Sequence, residues 1–242
     1  MKNGKAMFLA YDHGLEHGPI EFNDKDANPE YIIDIAKKGK YNALIFQKGI
    51  AEKYNEKIKK SKIPLIIKLN GKTNLFQGEP VSRQICSVKE ALDLGAKAVG
   101  YTIYIGSRYE SVMLKEFDSI EEEAHAKGIP VIAWIYPRGK SVEKKPGGEL
   151  MAYAARTGLE IGADIIKIKY NGNVKDLKWA VKVAGKTQVM IAGGVHEDEK
   201  IFLKQVKEII NAGAAGLAVG RNIWQSGNPV ELSGKIKRMI WD

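Results

Sequence analysis

Short apolar segments that suit buried strands alternate with amphipathic helical segments along the whole chain. There are eight such strand segments, and each is followed by residues whose apolar positions recur with helical spacing. A helix is the usual crossover between parallel strands. Eight strand–helix units in 242 residues therefore indicate an α/β fold, a (β/α)8 or TIM barrel with a single domain over residues 1–242. The predicted strands are Lys5–Tyr11, Asn42–Phe46, Pro64–Leu69, Ala98–Tyr104, Pro130–Tyr136, Asp164–Tyr170, Thr187–Ala192 and Gly216–Val219.

Glycine marks the predicted end of several helices, just before the next strand. A glycine with a left-handed backbone is a common helix C-terminus. We expect this conformation at Gly39, Gly95, Gly128, Gly162 and Gly213. The alternative fold is an open doubly wound sheet, but the turn after its first strand, Asp12–Pro19, lacks the dinucleotide fingerprint. The predicted helices are Pro29–Lys38, Ala51–Lys60, Val88–Leu94, Ser107–Lys127, Gly148–Gly162, Val174–Ala184, Asp198–Ala212 and Glu231–Trp241.

The charge balance is basic. The net charge is +9, from 38 lysine and arginine residues against 29 aspartate and glutamate residues. The basic residues are spread along the chain, and the densest clusters, Lys57–Lys62 and Lys140–Lys145, lack the interleaved aromatic residues that nucleic-acid-binding surfaces use. This distribution favours a surface that attracts phosphorylated metabolites and argues against a nucleic-acid partner.

The sequence carries no sign of a membrane or an oxidising compartment. No apolar run approaches the ~18 residues that a membrane-spanning helix needs, and the run Ala6–Ala10 is too short for a secretory signal. Cys86 is the single cysteine, which rules out a disulfide within the chain. We therefore expect no membrane partner and a cytoplasmic location.

Two lysines stand two residues apart in the predicted strand Asp164–Tyr170. Side chains at this spacing point to the same face of a strand, so Lys167 and Lys169 share one face and isoleucines occupy the other. Lysine is rarely fully buried. Either the strand ends here and the ammonium groups reach water, or Lys167 lies in a dry pocket, has a lowered pKa and attacks a substrate carbonyl.

In barrels of this kind the active site is built at the C-terminal ends of the strands. Glycine turns follow the seventh and eighth predicted strands, at Gly193-Gly194 and Gly220-Arg221. Glycine lets backbone amides approach a phosphate closely, and arginine adds a charge-assisted fork. We therefore predict a phosphate site from Gly193, Gly194, Gly220 and Arg221. The alternative is that these glycines form ordinary tight turns.

The fifth predicted strand ends close to the lysine-bearing sixth strand. Trp134 and Tyr136 share one face of this strand by the period of two. Because the fifth and sixth strands are neighbours, we expect the tyrosine hydroxyl beside a lysine amine. Arg138 and Lys169 lie at the same end of the barrel and are further candidates for substrate or phosphate binding.

The histidines give no credible metal site. His13 and His17 have the spacing of neighbours on a helix, but Gly14 and Gly18-Pro19 predict a loop there. Further ligands cannot be placed, so we expect no metal ion and no other cofactor. The remaining histidines are His125 and His196.

Five motifs resemble, in the same order, those of the archaeal-type class I fructose-1,6-bisphosphate aldolases, in the wider group that includes deoxyribose-phosphate aldolase. The likeness covers nearly the whole chain. It implies a metal-free aldolase that forms a Schiff base with a phosphorylated sugar. The motifs are Asp12–Pro19, Lys68–Thr73, Trp134–Gly139, Gly162–Tyr170 and Val219–Asn222.

The resemblance also implies roles for individual residues. It implies that Lys167 forms the imine, that Tyr136 is the acid/base, and that Asp12 and Trp134 are further active-site residues. Phosphate contacts from the two glycine turns, including Arg221, are implied in the same way. So is a homo-oligomer, often a decamer, although the start is short for this family and an N-terminal extension used in assembly is expected to be missing.

The resulting prediction is a lyase of glycolysis and gluconeogenesis that reversibly cleaves fructose 1,6-bisphosphate to dihydroxyacetone phosphate and glyceraldehyde 3-phosphate. Lys169 is predicted to be the cationic neighbour that lowers the pKa of Lys167. One alternative on the same lysine is a transaldolase-like 2-amino-3,7-dideoxy-D-threo-hept-6-ulosonate synthase; the Gly14–Pro19 loop favours the fructose-bisphosphate group. A second alternative is a sugar-phosphate isomerase without a covalent intermediate, for which Asp12 is the clear carboxylate base.

Overall fold

A closed ring of parallel strands forms the centre of the computed structural model, which describes residues 3–242. The barrel strands are β1 (Ala6–Ala10), β2 (Ala43–Gln47), β3 (Leu65–Lys68), β4 (Ala96–Ile103), β5 (Val131–Ile135), β6 (Ile165–Lys169), β7 (Gln188–Ala192) and β8 (Gly216–Val219). Each strand pairs with its neighbours in chain order, and β1 closes the ring by pairing with β8. The predicted (β/α)8 barrel is confirmed. A single domain over residues 1–242 stays a prediction.

Helices connect the strands around the outside of the barrel. The α-helices of residues 3–242 are Gly14–His17, Pro29–Lys38, Lys48–Lys53, Asn55–Ser61, Val88–Asp93, Glu110–Ala126, Gly147–Glu160, Val174–Val183, Glu199–Asn211, Arg221–Trp224 and Pro229–Trp241. None of them is both long and apolar enough to cross a lipid bilayer. Short 3₁₀ turns occupy Pro19–Glu21 and Lys140–Val142, and Asn70–Gly71 pairs antiparallel with Arg83–Gln84 outside the barrel.

Two apolar layers hold the barrel together. Side chains alternate along each strand, so one set packs inside the ring and the other packs against the helices. The strands are therefore buried on both faces, which explains why they are nearly continuous apolar runs in the sequence. The inner layer includes Phe8, Ile45, Ile66, Ile132, Ile165 and Met190.

The predicted helix Ala51–Lys60 is two helices in the structure. Lys48–Lys53 and Asn55–Ser61 are separated at Tyr54, whose φ of −110° and ψ of 18° leave helical geometry. The Asn55 side chain donates a hydrogen bond to the carbonyl oxygen of Leu94 at 2.9 Å. This tertiary contact ties the break to the next strand–helix unit and has no counterpart in the helical periodicity.

The prediction for Gly39 is wrong. Its φ is −74°, and the next residue, Lys40, takes the left-handed backbone with φ 52°. Glycine is needed at position 39 for space, because a Cβ there would lie 2.7 Å from the ring of Tyr41. The other four glycines have the expected left-handed backbone, with φ between 67° and 92°: Gly95, Gly128, Gly162 and Gly213.

Candidate active site

A cavity of about 280 Å³ opens among the C-terminal ends of the strands and the loops that follow them. All of the residues predicted to be catalytic or substrate-binding line it, so the structure brings the whole set together, while their chemical roles stay predictions. They are Asp12, Trp134, Tyr136, Arg138, Lys167, Lys169, Gly193, Gly194, Gly220 and Arg221. The cavity wall also includes charged or titratable side chains to which no role was assigned: His13, Glu16, His17, Glu21 and Lys68.

Lys167 lies near the end of β6, inside the barrel. Alternation along the strand sends Ile166 and Ile168 toward the helices and turns Lys167 inward, where it is only 6 % exposed. Burial is the main cause that lowers the pKa of its amine. The negative charge of Asp12 raises this pKa, and the positive charge of Lys68 lowers it. Lys167 therefore lies in a dry pocket, as one of the two alternatives for this strand predicts, whereas the side chain of Lys169 is exposed. A larger fraction of neutral amine makes Lys167 a better nucleophile.

Asp12 and Lys68 form a buried ion pair beside Lys167. Asp12 follows β1, Lys68 ends β3, and Asp12 Oδ2 lies 3.3 Å from Lys68 Nζ. Burial raises the pKa of Asp12, but the positive charges of Lys167 and Lys68 outweigh it and lower the pKa to about 2. Asp12 is therefore a carboxylate at neutral pH. The cationic neighbour of Lys167 is Lys68, and the prediction of Lys169 for that position is wrong.

The indole of Trp134 packs over Gly100 on β4, where the absence of a side chain leaves room for the ring. A Cβ on Gly100 would lie 1.4 Å from Cζ3 of the indole. Gly100 is the register partner of Lys68, and Trp134 is the register partner of Lys167, so these two residues stand between the lysine-bearing strands. Within residues 3–242 the buried indole N–H has no hydrogen-bond partner. As part of the cavity wall, it is a donor suited to a substrate oxygen.

Cationic side chains surround the ring of Tyr136. Arg138 Cζ and Lys169 Nζ each lie 5.7 Å from the ring centroid. Burial raises the pKa of Tyr136 well above its ordinary value, and the negative charges of Asp12 and Glu16 raise it further. The hydroxyl therefore stays protonated at neutral pH and can act as an acid. Tyr136 and Trp134 both line the cavity, which agrees with the predicted shared face.

Glu16, a residue with no predicted role, fixes the position of Arg138. Arg138 Nη1 donates to Glu16 Oε1 at 2.8 Å, and the Tyr104 hydroxyl donates to the same oxygen at 3.3 Å. The Arg138 guanidinium also lies 5.1 Å from the centroid of the Tyr104 ring. These contacts link the loop after β1 to the ends of β4 and β5. Glu16 lies inside the Asp12–Pro19 motif, and this position in the motif was the sequence signal that could have identified it.

The glycine turns after β7 and β8 lie together, as predicted for a phosphate site. A Cβ on Gly193 would lie 3.1 Å from Val219 Cα, and Gly194 has φ 71°, so both positions favour glycine. Arg221 Nη2 donates to the Gly194 carbonyl oxygen at 3.0 Å and so joins the two turns. Arg221 Nη1 donates to Glu21 Oε1 at 2.6 Å, a partner that the sequence analysis did not identify.

A short helix, Gly14–His17, follows β1 where a loop was predicted; His13 is the residue before it and His17 is its last residue. The helix ends at Gly18, whose φ of 72° favours glycine. The rings of His13 and His17 are 6.0 Å apart, and burial lowers the pKa of His13 to about 4, so His13 is neutral at pH 7. In residues 3–242, no three histidine, cysteine, aspartate or glutamate side chains are grouped to hold a metal ion.

Comparison with known proteins identifies the family. The sequence profile of the DeoC/LacD family aldolases matches residues 6–226. The chain belongs to this aldolase family. A class 1 fructose-bisphosphate aldolase of Thermoproteus tenax is 48 % identical over 243 residues, which cover 99 % of this chain and 91 % of the relative. The resemblance indicated by the five motifs is confirmed.

Two further relatives bear on the reaction of this aldolase. One is the solved structure of an archaeal fructose-1,6-bisphosphate aldolase whose catalytic lysine is covalently bound to the carbinolamine intermediate of the substrate. It has a TM-score of 0.93 and 47 % identity, over 99 % of this chain and 95 % of that one. The other, 2-amino-3,7-dideoxy-D-threo-hept-6-ulosonate synthase 1 of Archaeoglobus fulgidus, is 34 % identical over 99 % of this chain and 87 % of the relative.

Proposed function

We propose that this aldolase is a class I enzyme that reversibly cleaves fructose 1,6-bisphosphate to dihydroxyacetone phosphate and glyceraldehyde 3-phosphate. The observation that carries the proposal is the position of Lys167, a buried amine of lowered pKa in a cavity that also contains two glycine turns joined by Arg221. This combination suits a phosphorylated ketose. The high identity to the class 1 fructose-bisphosphate aldolase of Thermoproteus tenax supports the same substrate.

Imine formation is the first chemical step of the proposal. The neutral amine of Lys167 adds to the C2 carbonyl of the ketose, and the resulting carbinolamine loses water to give a cationic iminium. The carbinolamine oxygen needs a proton in order to leave as water. Tyr136 is suited to supply it, because its raised pKa keeps the hydroxyl protonated.

Cleavage of the C3–C4 bond follows from the iminium. The bonding electrons move toward the iminium nitrogen and form a neutral enamine on the three carbons that keep C2. At the same time the C4 hydroxyl loses its proton to a base and becomes the carbonyl of glyceraldehyde 3-phosphate. We assign this proton to the phenolate that Tyr136 becomes after dehydration, with Asp12 orienting the substrate hydroxyls. Protonation of the enamine at C3 and hydrolysis of the iminium then release dihydroxyacetone phosphate.

The cations in the cavity are suited to the two phosphates of the substrate. Arg221 and the amides of Gly193 and Gly194 support binding of one phosphate, since glycine backbone and a guanidinium both favour a dianion. Arg138 and Lys169, which both contact the Tyr136 ring, support binding of the other. This division places the scissile bond near Tyr136 and Lys167.

The two alternative functions are less well supported. The heptulosonate synthase uses the same scaffold, but the relative with that name is 34 % identical, against 48 % for the aldolase of Thermoproteus tenax. The isomerase alternative needs Asp12 as a general base. A carboxylate with its pKa lowered to about 2 is a weak base near neutral pH, because efficient general bases have pKa values near the working pH.

Assembly and cellular context also belong to the proposal. We expect a homo-oligomer, such as a decamer, that works in the cytoplasm in glycolysis and gluconeogenesis without a cofactor. Large exposed apolar side chains support association between copies of the chain. Three of them are Leu75, Phe76 and Trp179, which are 90 %, 70 % and 54 % exposed.

Steady-state kinetics with a panel of phosphorylated ketoses tests the proposal. The purified protein should cleave fructose 1,6-bisphosphate with a higher kcat/KM than fructose 1-phosphate, which has only one phosphate. It should also make fructose 1,6-bisphosphate from the two triose phosphates. Preferential transfer of a three-carbon unit to an amino-sugar precursor, with little cleavage of the bisphosphate, would support the synthase and contradict the proposed function.

A further inference from the structure

Lys68 is a buried cation to which the proposed reaction assigns no step. It ends β3 and is 5 % exposed, which is unusual for a lysine. Its Nζ lies 3.3 Å from Asp12 Oδ2, and its charge acts on both Asp12 and Lys167. Ordinary structural lysines keep their ammonium group in water. Burial of Lys68 in the wall of the active cavity therefore points to a function there.

Three charged groups act on the Lys167 amine: Asp12 and Glu16 favour its ammonium form, and Lys68 disfavours it. Without Lys68, the carboxylate of Asp12 would attract a proton onto the Lys167 amine and form a buried ion pair with it. With Lys68 present, Asp12 already has a cationic partner. Protonation of Lys167 would then bring a second ammonium group toward the same carboxylate in a site of low dielectric constant, which is unfavourable.

We propose that Lys68 is a positioning residue that holds Asp12 in an ion pair and thereby keeps the Lys167 amine neutral and nucleophilic. This inference rests on the proposed Schiff-base function. Gly100 and Trp134 fit the same arrangement, because they are the register partners of Lys68 and Lys167 on the two strands between them. The indole fills the space over Gly100, between the strands that carry the two lysines.

The same cation favours the cleavage step. The iminium on Lys167 is positively charged, whereas the enamine that forms when the C3–C4 bond breaks is neutral. A fixed ammonium group nearby disfavours the iminium relative to the enamine. Lys68 therefore makes the iminium a stronger electron acceptor, while Asp12 prevents the repulsion from blocking imine formation altogether.

The pH dependence of imine trapping separates this role from a purely structural one. The probe is dihydroxyacetone phosphate with cyanoborohydride, and the measurement is the trapping rate on Lys167 over a series of pH values. Lys68→Met removes the competing cation, so the pKa of Lys167 should rise and the midpoint of the trapping profile should move up by about one pH unit or more. Asp12→Asn removes the attracting carboxylate, so the midpoint should move down.

Two further variants serve as controls. Lys68→Arg keeps the positive charge and should return the midpoint toward that of the wild type. Lys48 also pairs with a carboxylate, Glu90 at 3.2 Å, but on the outer surface, so Lys48→Met should leave the midpoint unchanged. Melting temperatures of all variants show whether each one folds. Should Lys68→Met not fold, Lys68→Gln removes the same charge with a polar side chain, and the same upward shift of the midpoint is expected of it.

The outcomes distinguish the proposal from the function on which it rests. Shifts of opposite sign in Lys68→Met and Asp12→Asn support the role of Lys68. If the wild-type protein traps on Lys167 but both variants keep its midpoint, the proposal for Lys68 is wrong and the Schiff-base function stands. A lower melting temperature with an unchanged midpoint in Lys68→Met also overturns it, since the ion pair would then be structural only. Absence of trapping in the wild type contradicts the proposed function itself.

Discussion

The Lys167 amine nitrogen lies 5.2 Å from the centroid of the Trp134 ring, and the two residues are register partners on β6 and β5. The indole covers one side of the amine and excludes water from it. Loss of hydration destabilises the ammonium form, which is the main reason that the pKa of Lys167 is lowered. The local environment of this one lysine therefore differs from that of Lys169, although both lie on the same strand.

The first prediction concerns which lysine forms the imine. Reduction with borohydride in the presence of dihydroxyacetone phosphate should leave the adduct on Lys167, because Lys167 is buried and Lys169 is exposed. Peptide mass mapping identifies the modified residue. Lys167→Met should abolish the adduct, and Lys169→Met, the matched change two residues along the strand, should keep it. An adduct on Lys169 in the wild type would show that this assignment is wrong.

The second prediction tests the space that Gly100 leaves for Trp134. In Gly100→Ala the new methyl group would overlap the indole, so we expect the ring to move and the free energy of unfolding to fall by about 1–3 kcal/mol. Chemical denaturation measures the loss, and tryptophan fluorescence should change with it. Gly49→Ala is the control, because a Cβ on Gly49 meets nothing within 4 Å. Equal stabilities of Gly100→Ala and the wild type would contradict the tight contact.

Most of the fold was predictable because it depends on local patterns. Strand and helix periodicities and four of the five glycine helix ends are properties of short segments, and they recur in the structure. Gly39 is different. Its glycine is required by the Tyr41 ring rather than by a left-handed backbone, and such packing between chain neighbours leaves no periodic signal.

The site was predictable only as a set of residues at the strand ends. The alternation of side chains along the strand placed Lys167 and Lys169 on one face, but it carried no information about which cation lowers the pKa of Lys167. That depends on the arrangement of β1, β3 and β6 around the barrel, which brings Asp12 against Lys68 and puts both charges close enough to act on Lys167. Glu16 and Glu21 were missed for the same reason. Both act through partners more than 100 residues away, Arg138 and Arg221, and such contacts have no local sequence pattern.

The third prediction concerns the phosphate end of the cavity. Arg221→Met removes the guanidinium that joins the glycine turns, so the KM for fructose 1,6-bisphosphate should rise on the order of tenfold or more, as expected for loss of charge-assisted hydrogen bonds. Arg156 is a matched arginine whose carboxylate partner, Glu160, lies on the same outer helix. Arg156→Met should leave KM unchanged. An unchanged KM in Arg221→Met would remove Arg221 from the phosphate site.

The fourth prediction is that activity survives chelation. In the proposed reaction the iminium on Lys167 accepts the electrons of the broken bond, which is the task that a metal ion performs in metal-dependent aldol cleavage. Dialysis against EDTA should therefore leave kcat unchanged, as a steady-state assay before and after treatment will show. Inhibition that zinc restores would overturn the Schiff-base assignment.

The last prediction concerns the hydroxyl of Tyr136. Tyr136→Phe keeps the ring that contacts Arg138 and Lys169 but removes the proton donor. General acid–base groups contribute about 10²–10⁴-fold in rate, so kcat should fall at least roughly a hundredfold while the melting temperature changes little. Tyr153→Phe, on the outer surface where the ring is 65 % exposed, should keep the wild-type kcat. If Tyr136 only closes the top of the core, its loss will instead lower the melting temperature and change kcat by a few-fold. A stable Tyr136→Phe variant with near-normal kcat would remove Tyr136 from the proposed mechanism.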